Sequence, residues 1–154
     1  MSQLKLTWND LLIQDADPEE LAESLEPWSF LIRGEVAPIF LNRFGSWFLR
    51  RRDGTIDMLD VLDGSVDQVA ADSDEFAALV NDVEWQEDFL VSLAVFKLHE
   101  AGLIATGSQC YAIPHPAIGG PYPTSDEPPN PRFTTLVDLK VWQSICRQSL
   151  GGPP

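Results

Sequence analysis

Short apolar runs interrupted by Gly and Pro fill residues 30–69, and this pattern constrains the fold more than any other feature of the chain. The pair Asp53-Gly54 separates two of these runs, "SWFL" before it and "TIDML" after it. Gly supplies the positive φ that a tight turn requires, so the pair predicts a hairpin. The whole segment therefore predicts three or four antiparallel strands.

Two short helices are expected before the strands. Thr7 and the pair Asp17-Pro18 have the side-chain oxygens and the proline that favour a helix start. We expect helices at residues 8–14 and 18–26. Pro27 should end the second helix, because its ring cannot continue the backbone hydrogen bonding.

Two further helices are predicted after the strands. Asp72 followed by Glu75 has capping-box spacing and predicts a helix from about Ser73. A longer helix at residues 85–101 should be central, because large apolar residues recur at helical spacing and Gly102 provides a stop. These apolar residues are Trp85, Phe89, Leu93 and Phe96.

The last third of the chain adds a strand, a loop and a second strand–helix pair. A short strand is expected at 109–113, and the seven prolines between residues 114 and 131 exclude regular structure after it. A strand at 133–137 and a helix at 139–149 follow. These elements predict an α+β fold, a mostly antiparallel sheet with helices packed on it, in a single domain.

The charge of the chain is strongly acidic and unevenly distributed. The formal net charge is −14, and residues 53–96 contain 12 of the 24 acidic residues but no Lys or Arg. Nucleic acids and anionic membranes bind proteins through clustered cations, so direct binding of either is not expected. A basic protein partner is favoured.

The sequence offers weak indications of location. Its first ten residues, "MSQLKLTWND", lack a cationic region followed by an apolar run, and no apolar segment approaches the roughly 20 residues that span a bilayer. Cys110 and Cys146 are the only cysteines and form no CxxC pair. We expect a cytoplasmic protein with reduced thiols, a single disulfide being the alternative.

Four side chains could be combined into a reactive centre. His99, Cys110, His115 and Cys146 offer zinc ligands, but their spacing matches no compact zinc module. Cys110 and His115 could instead form a thiolate–imidazole pair. A catalytic Cys usually lies at a helix N-terminus or beside a fixed positive charge, whereas Cys110 lies in a strand-like stretch.

The pair Gly119-Gly120 is a weak candidate for a phosphate-binding loop. Such loops run into a helix N-terminus and usually carry a Lys, whereas Pro and Tyr follow here. A tight turn is the simpler interpretation. We therefore predict a protein that is not an enzyme, with no catalytic residue, no cofactor and no bound metal.

The order of motifs resembles a known family. The segments "FGSWFLRRRDGTIDMLDVLDGSVDQVAADSDEFAALV", "HEAGL", "GSQCYAIPHPAIGGPYP" and "VWQSICRQ" occur in this order. Together they resemble the C-terminal domain of type VI secretion immunity proteins that neutralise DNase effectors, a domain often found behind a GAD-related region. The most specific parts are residues 109–120 and 59–64. The N-terminal region is shorter than a full GAD-related domain, and the loop after Gly120 is unusually rich in proline.

The resemblance implies a domain organisation and a function. Residues 1–43 would be a lead-in of helix and strand, residues 44–150 the immunity-type domain within one globular unit, and residues 151–154 a flexible tail. The protein would bind a cognate toxin, a nuclease, and neutralise it. The acidic stretch would then be the docking surface, because carboxylates can occupy a site that attracts phosphates.

The residues expected to contact the partner are acidic or aromatic. They are Asp57, Asp60, Asp63, Asp67, Asp72, Asp74, Tyr111 and Tyr122. Trp47 and Trp85 are further candidate anchors, although Trp at such positions is more often part of the core. The acidic residues could also serve only to keep the sheet soluble and its edge unpaired.

Two other functions remain open at this point. The protein could mimic DNA and bind many basic proteins with strong salt sensitivity. It could also be a small hydrolase that uses Cys110 and His115, which would require the two side chains to meet in a pocket.

Overall fold

A five-stranded antiparallel sheet organises the protein. The computed structural model describes residues 6–124 and 126–151. The strands lie in the sheet in chain order: β1 (Leu12–Ile13), β2 (Val36–Asn42), β3 (Trp47–Arg51), β4 (Ile56–Asp60) and β5 (Ser65–Ala70). Four of them lie in the region predicted to hold three or four, so this prediction and the α+β class are confirmed.

The predicted turn at Asp53-Gly54 joins β3 to β4. Gly54 has φ +93°, and its N–H donates to the carbonyl of Arg51 (3.0 Å). The Asp53 carboxylate accepts hydrogen bonds from the backbone N–H and the hydroxyl of Thr55 (3.0 and 2.7 Å). Such local bonds are typical of Asp in turns and fix the register of the hairpin.

Among the described residues, six helices and a second, two-stranded sheet complete the fold. The helices are α1 (Trp8–Leu11), α2 (Pro18–Leu25), α3 (Ser73–Val80), α4 (Val83–Phe89), α5 (Ser92–Glu100) and α6 (Leu139–Ser149). The second sheet consists of β6 (Gln109–Ala112) and β7 (Thr135–Asp138), which are antiparallel. Short 3-10 turns occupy Glu26–Trp28, Pro116–Ile118 and Pro131–Phe133.

The first predicted helix is too long. It begins after Thr7 as expected, but it ends at Leu11, and the next two residues pair with Asn42 and Leu41 as β1. These two residues, Leu12 and Ile13, are buried. Burial of two large aliphatic side chains at the sheet edge outweighs one further helical turn in so short a helix. The second helix begins at Pro18 as predicted, and Pro27 lies in the 3-10 turn that follows it.

The predicted long helix at 85–101 is wrong, because the chain breaks between α4 and α5. Val91 has φ +51°, a left-handed conformation that interrupts the helical hydrogen bonds. The break rotates the second half, so Leu93 is exposed while Ala94 and Leu98 are buried. The predicted stop is confirmed: Leu103 N–H donates to the carbonyl of Leu98 (2.9 Å) and Gly102 N–H to that of His99 (3.0 Å).

Successive residues of β3 face opposite sides of the sheet and meet different layers. On one side, Phe48 contacts the rings of Phe40, Phe76 and Trp85, so α3 and α4 cover this face. On the other side, the Nε1 of Trp47 donates to the side chain of Gln143 in α6 (3.0 Å). The core therefore lies on both faces of the sheet.

A network of neutral polar groups fastens α6 to the sheet. The Gln143 Oε1 accepts from the indole N–H of both Trp28 (2.7 Å) and Trp47 (3.0 Å), and its Nε2 donates to the carbonyl of Gly45 (2.8 Å). Trp142 donates to the carbonyl of Phe44 (2.7 Å). Gln143 and both of its Trp partners are fully buried. We call this set the Gln143 network.

The N-terminal region is continuous with the rest of the sheet. Residues before position 44 supply β1 and β2, and α2 packs against α6. The lead-in expected at 1–43 therefore contributes strands to the same sheet as the residues after it. Of the tail expected at 151–154, residues 152–154 lie outside the described residues.

Candidate acidic binding pocket

A concave pocket of about 220 Å³ opens on the side of the sheet that carries α4. Four carboxylates line it: Asp60, Asp63, Asp67 and Asp88. Ser65 and four larger side chains, Met58, Val69, Phe89 and Tyr122, complete its lining. No Lys or Arg is among these lining residues. We call this site the acidic pocket.

The pocket is built by strand alternation and one helix end. Side chains two residues apart on a regular strand point to the same face, which brings Ser65 and Asp67 of β5 together. Val69 lies at the register shift between Gln68 and Ala70 and also lines the pocket. Met58 of β4 pairs with Asp67 of β5, and Asp60 pairs with Ser65. The last turn of α4 then adds Asp88 and Phe89 from above the sheet.

Asp60 holds one wall of the pocket in place. Its Oδ1 accepts from the backbone N–H groups of Leu62 (2.9 Å) and Asp63 (3.2 Å) and from the Ser46 hydroxyl (3.4 Å). Its Oδ2 accepts a hydrogen bond from the hydroxyl of Tyr122. Asp60 therefore organises the β4–β5 turn, and its carboxylate is largely occupied within the protein.

Tyr122 comes from the proline-rich loop, 62 residues further along the chain than Asp60. Burial and the nearby charge of Asp60 raise the pKa of the Tyr122 phenol, so it stays protonated and donates its hydrogen. The residue as a whole remains 41% exposed. It can thus present an aromatic face to a ligand while its hydroxyl is fixed to the protein.

Three carboxylates remain for binding. The side chains of Asp63, Asp67 and Asp88 accept no hydrogen bond from any described residue, and all three residues are exposed. Nearby like charges repel one another, and an incoming cation relieves this repulsion. Phe89 and Tyr122 offer apolar surface for the aliphatic stem of a Lys or Arg. The pocket is thus suited to a cationic side chain.

Four of the eight residues predicted to contact a partner come together here: Asp60, Asp63, Asp67 and Tyr122. Asp57 does not, because it lies in an ion pair with the Nε of Arg51 (2.6 Å) and is only 9% exposed. Arg51 lies between two exposed arginines, Arg50 and Arg52, and we call these three residues the three-arginine end of β3. Its partner Asp57 is therefore not a free docking group.

The prediction that Tyr111 contacts a partner is wrong for this conformation. Tyr111 is fully buried; its hydroxyl donates to the carbonyl of Leu103 (2.8 Å) and accepts from the N–H of Ala105 (3.3 Å). The candidate anchors Trp47 and Trp85 are also core residues, 0% and 6% exposed. Burial of such large apolar side chains stabilises the fold, which explains why they lie in the core.

Asp72 and Asp74 lie outside the pocket, at the start of α3. Asp72 is the N-cap, and its carboxylate accepts from the N–H of Glu75 (2.8 Å), which confirms the predicted capping position. Asp74 is exposed in the first helical turn, where a negative charge is favourable to the helix dipole. Both residues have a structural explanation that needs no partner.

Sequence reasoning missed Asp88 and Phe89 as parts of the site. Asp88 belongs to the acidic stretch, but no spacing separates it from the other acidic residues there. Phe89 was assigned to the apolar stripe of a long helix. Only the helix break after α4 brings this end to the β4–β5 hairpin, and a break at a valine has no sequence signal.

The candidate reactive residues are used in packing. The His115 Nε2 bonds to the carbonyl of Val61 (3.0 Å), and its Nδ1 accepts from the N–H of Ala117 (3.0 Å). Burial raises the pKa of Cys110 to about 12, which keeps the thiol protonated. Cys110 and Cys146 are buried free thiols. Within residues 6–124 and 126–151, no three His, Cys, Asp or Glu side chains could hold a metal ion together.

The pair Gly119-Gly120 forms a tight turn after a 3-10 turn. Gly119 has φ +100°, and a Cβ at Gly120 would lie 1.9 Å from the carbonyl oxygen of Pro114. The N–H of Gly120 donates to the carbonyl of His115 (3.1 Å). Close backbone approach therefore explains the second glycine, and no helix begins at this turn.

In the part of the chain that is described, none of the helices has both the length and the apolar character needed to cross a bilayer. No protein-family model matches the chain, and a comparison with curated protein sequences finds no significant match.

Proposed function

We propose that this protein is an immunity protein that binds and neutralises a secreted bacterial toxin, a DNA-cutting effector of the type VI secretion system. It would act in the cytoplasm and without catalysis. The observation that carries the proposal is the acidic pocket, a cavity of about 220 Å³ lined by three carboxylates that accept no hydrogen bond from any described residue. The resemblance of the motif order to nuclease immunity domains supplies the kind of partner.

The chemistry of a nuclease suits this pocket. An enzyme that cleaves DNA needs a positively charged surface to attract phosphates. A rigid surface that presents carboxylates can occupy the same cations and keep DNA away. Net charge of −14 also accelerates encounter with a basic partner, while complementary charge discriminates against the wrong ones.

Affinity needs more than charge. Tight interfaces usually depend on a few well-packed aromatic or Arg side chains. Tyr122 and Phe89 provide aromatic surface inside the acidic pocket, and Tyr122 is held in position by Asp60. A Lys or Arg of the toxin would place its stem against these rings and its charge between Asp63, Asp67 and Asp88.

The experiment is a calorimetric titration against catalytically inactive variants of type VI DNase effectors, beginning with any such effector whose gene lies next to the gene for this chain. It is run at low salt and at roughly 0.5 M salt, where exposed charges are largely screened. We expect one-to-one binding that survives the high salt, together with loss of DNA cleavage by the active toxin. Absence of binding at both salt concentrations contradicts the proposal.

The general DNA mimic is the second candidate, favoured by the net charge alone. Titration of unrelated basic proteins under the same two conditions separates the two functions. A mimic should bind several of them at low salt and none at high salt, because its affinity is electrostatic. An immunity protein should keep its preference for one partner.

The small hydrolase is a third possibility, with less support. Cys110 is fully buried, and His115, the partner that such a reaction would require, has both ring nitrogens engaged elsewhere. A thiolate nucleophile would have to form against the raised pKa of Cys110. Alkylation of Cys110 that abolished a measured activity would restore this alternative.

A further inference from the structure

The two edges of the five-stranded sheet differ in length and exposure. The β1 edge has two residues, Leu12 and Ile13, and both are buried. The β5 edge has six residues, with Asp67 and Gln68 exposed. Within the described chain, the backbone of residues 65–70 makes no hydrogen bond beyond its pairing with β4. The register with β4 shifts between Gln68 and Ala70, so the regular part of the edge is residues 65–68. Along these residues, alternate N–H and C=O groups point away from the sheet.

The open edge borders the acidic pocket. Ser65, Asp67 and Val69 belong to β5 and line the pocket at the same time. A strand added beside β5 would lie about 4.8 Å away, with alternate side chains on the pocket side of the sheet. Those side chains would lie close to Asp63, Asp67 and Asp88. One binding event could thus use both the backbone edge and the carboxylates.

Charge selects the occupant of this edge. A second copy of β5 would bring its own Asp67 close to Asp67, and like charges on neighbouring strands are destabilising. The edge contains no Lys, Arg or Pro. Its negative charge disfavours self-pairing and favours an incoming strand with positive side chains. The occupant that fits is a basic extended segment of another protein.

We propose that the partner inserts an extended segment that pairs with β5 as a sixth strand and places Lys or Arg side chains, two residues apart, over the acidic pocket. This inference rests on the proposed function and deepens it, since it names the element of the partner that enters the site. Backbone hydrogen bonds would supply affinity, and the alternating cations would supply specificity.

The test uses the full chain and a synthetic peptide of about seven residues, the length of a typical strand, with Lys at alternate positions and Thr or Val between them. Two further peptides carry N-methyl groups on alternate amides, one for each edge of the peptide strand. Amide shifts of the protein are followed by nuclear magnetic resonance at up to millimolar peptide.

We expect the parent peptide to shift and protect amides of β5 and one N-methylated peptide to bind at least about tenfold more weakly, because it loses its pairing edge. The other N-methylated peptide should bind like the parent. Equal binding of all three peptides overturns the proposal, because it shows attraction by charge alone. Absence of any shift in β5 also overturns it.

Matched variants complete the test. Asp67→Lys on β5 and Asp74→Lys on α3 change the net charge equally, and both residues are exposed. We expect Asp67→Lys to lower the affinity for the parent peptide by about tenfold. Asp74→Lys should lower it by about twofold or less. Equal effects contradict the proposal.

The peptide result is independent of the nuclease titration. Binding of the peptide at β5 without binding of the nuclease would reject the proposed function and keep this inference. Binding of the nuclease, together with β5 amides that no peptide affects, would keep the proposed function and reject this inference.

Discussion

The Gln143 network and the acidic pocket are both rich in polar groups, yet they are organised in opposite ways. In the network, every neutral donor has an acceptor, and the Gln143 and Trp side chains are fully buried. In the pocket, charges of one sign are gathered at the surface, and three carboxylates lack a partner in the described chain. Matched buried groups stabilise one conformation, whereas unmatched exposed charges are available to another molecule.

Replacing the centre of the network should have the largest effect. Gln143→Leu leaves the indole N–H groups of Trp28 and Trp47 and the carbonyl of Gly45 buried without partners. We expect a loss of about 3 to 5 kcal/mol in the free energy of unfolding, measured by urea denaturation. The control, Gln148→Leu on the exposed side of α6, should change it by less than about 0.5 kcal/mol. Similar losses for both variants contradict the role of the network.

The contact between the β2–β3 turn and α6 gives the next largest effect. Gly45 has φ +90°, and a Cβ there would lie 2.7 Å from Cδ1 of Trp142. Gly54 has φ +93° but open space around it. We expect Gly45→Ala to lower the free energy of unfolding by about 2 to 4 kcal/mol and Gly54→Ala by about 1 kcal/mol. Both changes strain the backbone, but only the first also brings a Cβ into overlap with Trp142. Equal costs measured by urea denaturation show that the docking of α6 is looser than described.

Neutralising the pocket should change binding and leave the fold intact. The triple variant Asp63→Asn, Asp67→Asn and Asp88→Asn should slow association with the inactive nuclease by about tenfold at low salt and reduce its salt dependence. The free energy of unfolding should stay equal or rise by up to about 1 kcal/mol, because like charges are removed.

The control for this variant removes the same number of charges elsewhere. It combines Asp15→Asn, Glu100→Gln and Asp126→Asn, at three exposed positions outside the pocket. Stopped-flow association rates should distinguish the two triple variants. If both slow association equally, net charge and not the pocket governs encounter.

The smallest effect is expected at Tyr122. Tyr122→Phe keeps the ring at the pocket and removes only the hydrogen bond to Asp60, so partner affinity should fall by about threefold or less. Tyr111→Phe removes the same atom from the core and leaves buried backbone groups unpaired. It should lower the free energy of unfolding by about 1 to 3 kcal/mol without changing affinity. Calorimetry and urea denaturation of both variants check this contrast.

Local signals in the sequence predicted much of the fold. The Asp53-Gly54 hairpin, the Asp72 cap and the Gly102 stop each depend on bonds within a few residues, so the sequence contains the whole cause. The break at Val91 was missed, because β-branched residues disfavour a left-handed conformation and only tertiary packing can impose it. Another tertiary interaction, pairing with β2, turned the end of the first helix into β1.

The site was predictable only in part. The acidic stretch pointed to Asp60, Asp63 and Asp67, since they follow one another through a hairpin. Tyr122 was predicted as an aromatic anchor, but its place beside Asp60 depends on the path of the proline-rich loop. Asp57 is also an aspartate and lies on the same strand as Asp60. Its ion pair with Arg51 nevertheless removes it from the site. Residue type does not reveal which carboxylates are already paired.

The most direct measurement is a hydrogen-exchange footprint of the full chain with and without the inactive nuclease. We predict slower exchange at residues 60–69, at the end of α4 near Asp88, and in the loop around Tyr122, with little change at the three-arginine end of β3. Protection confined to that arginine end, or to the exposed face of α6, would contradict the acidic pocket as the binding site.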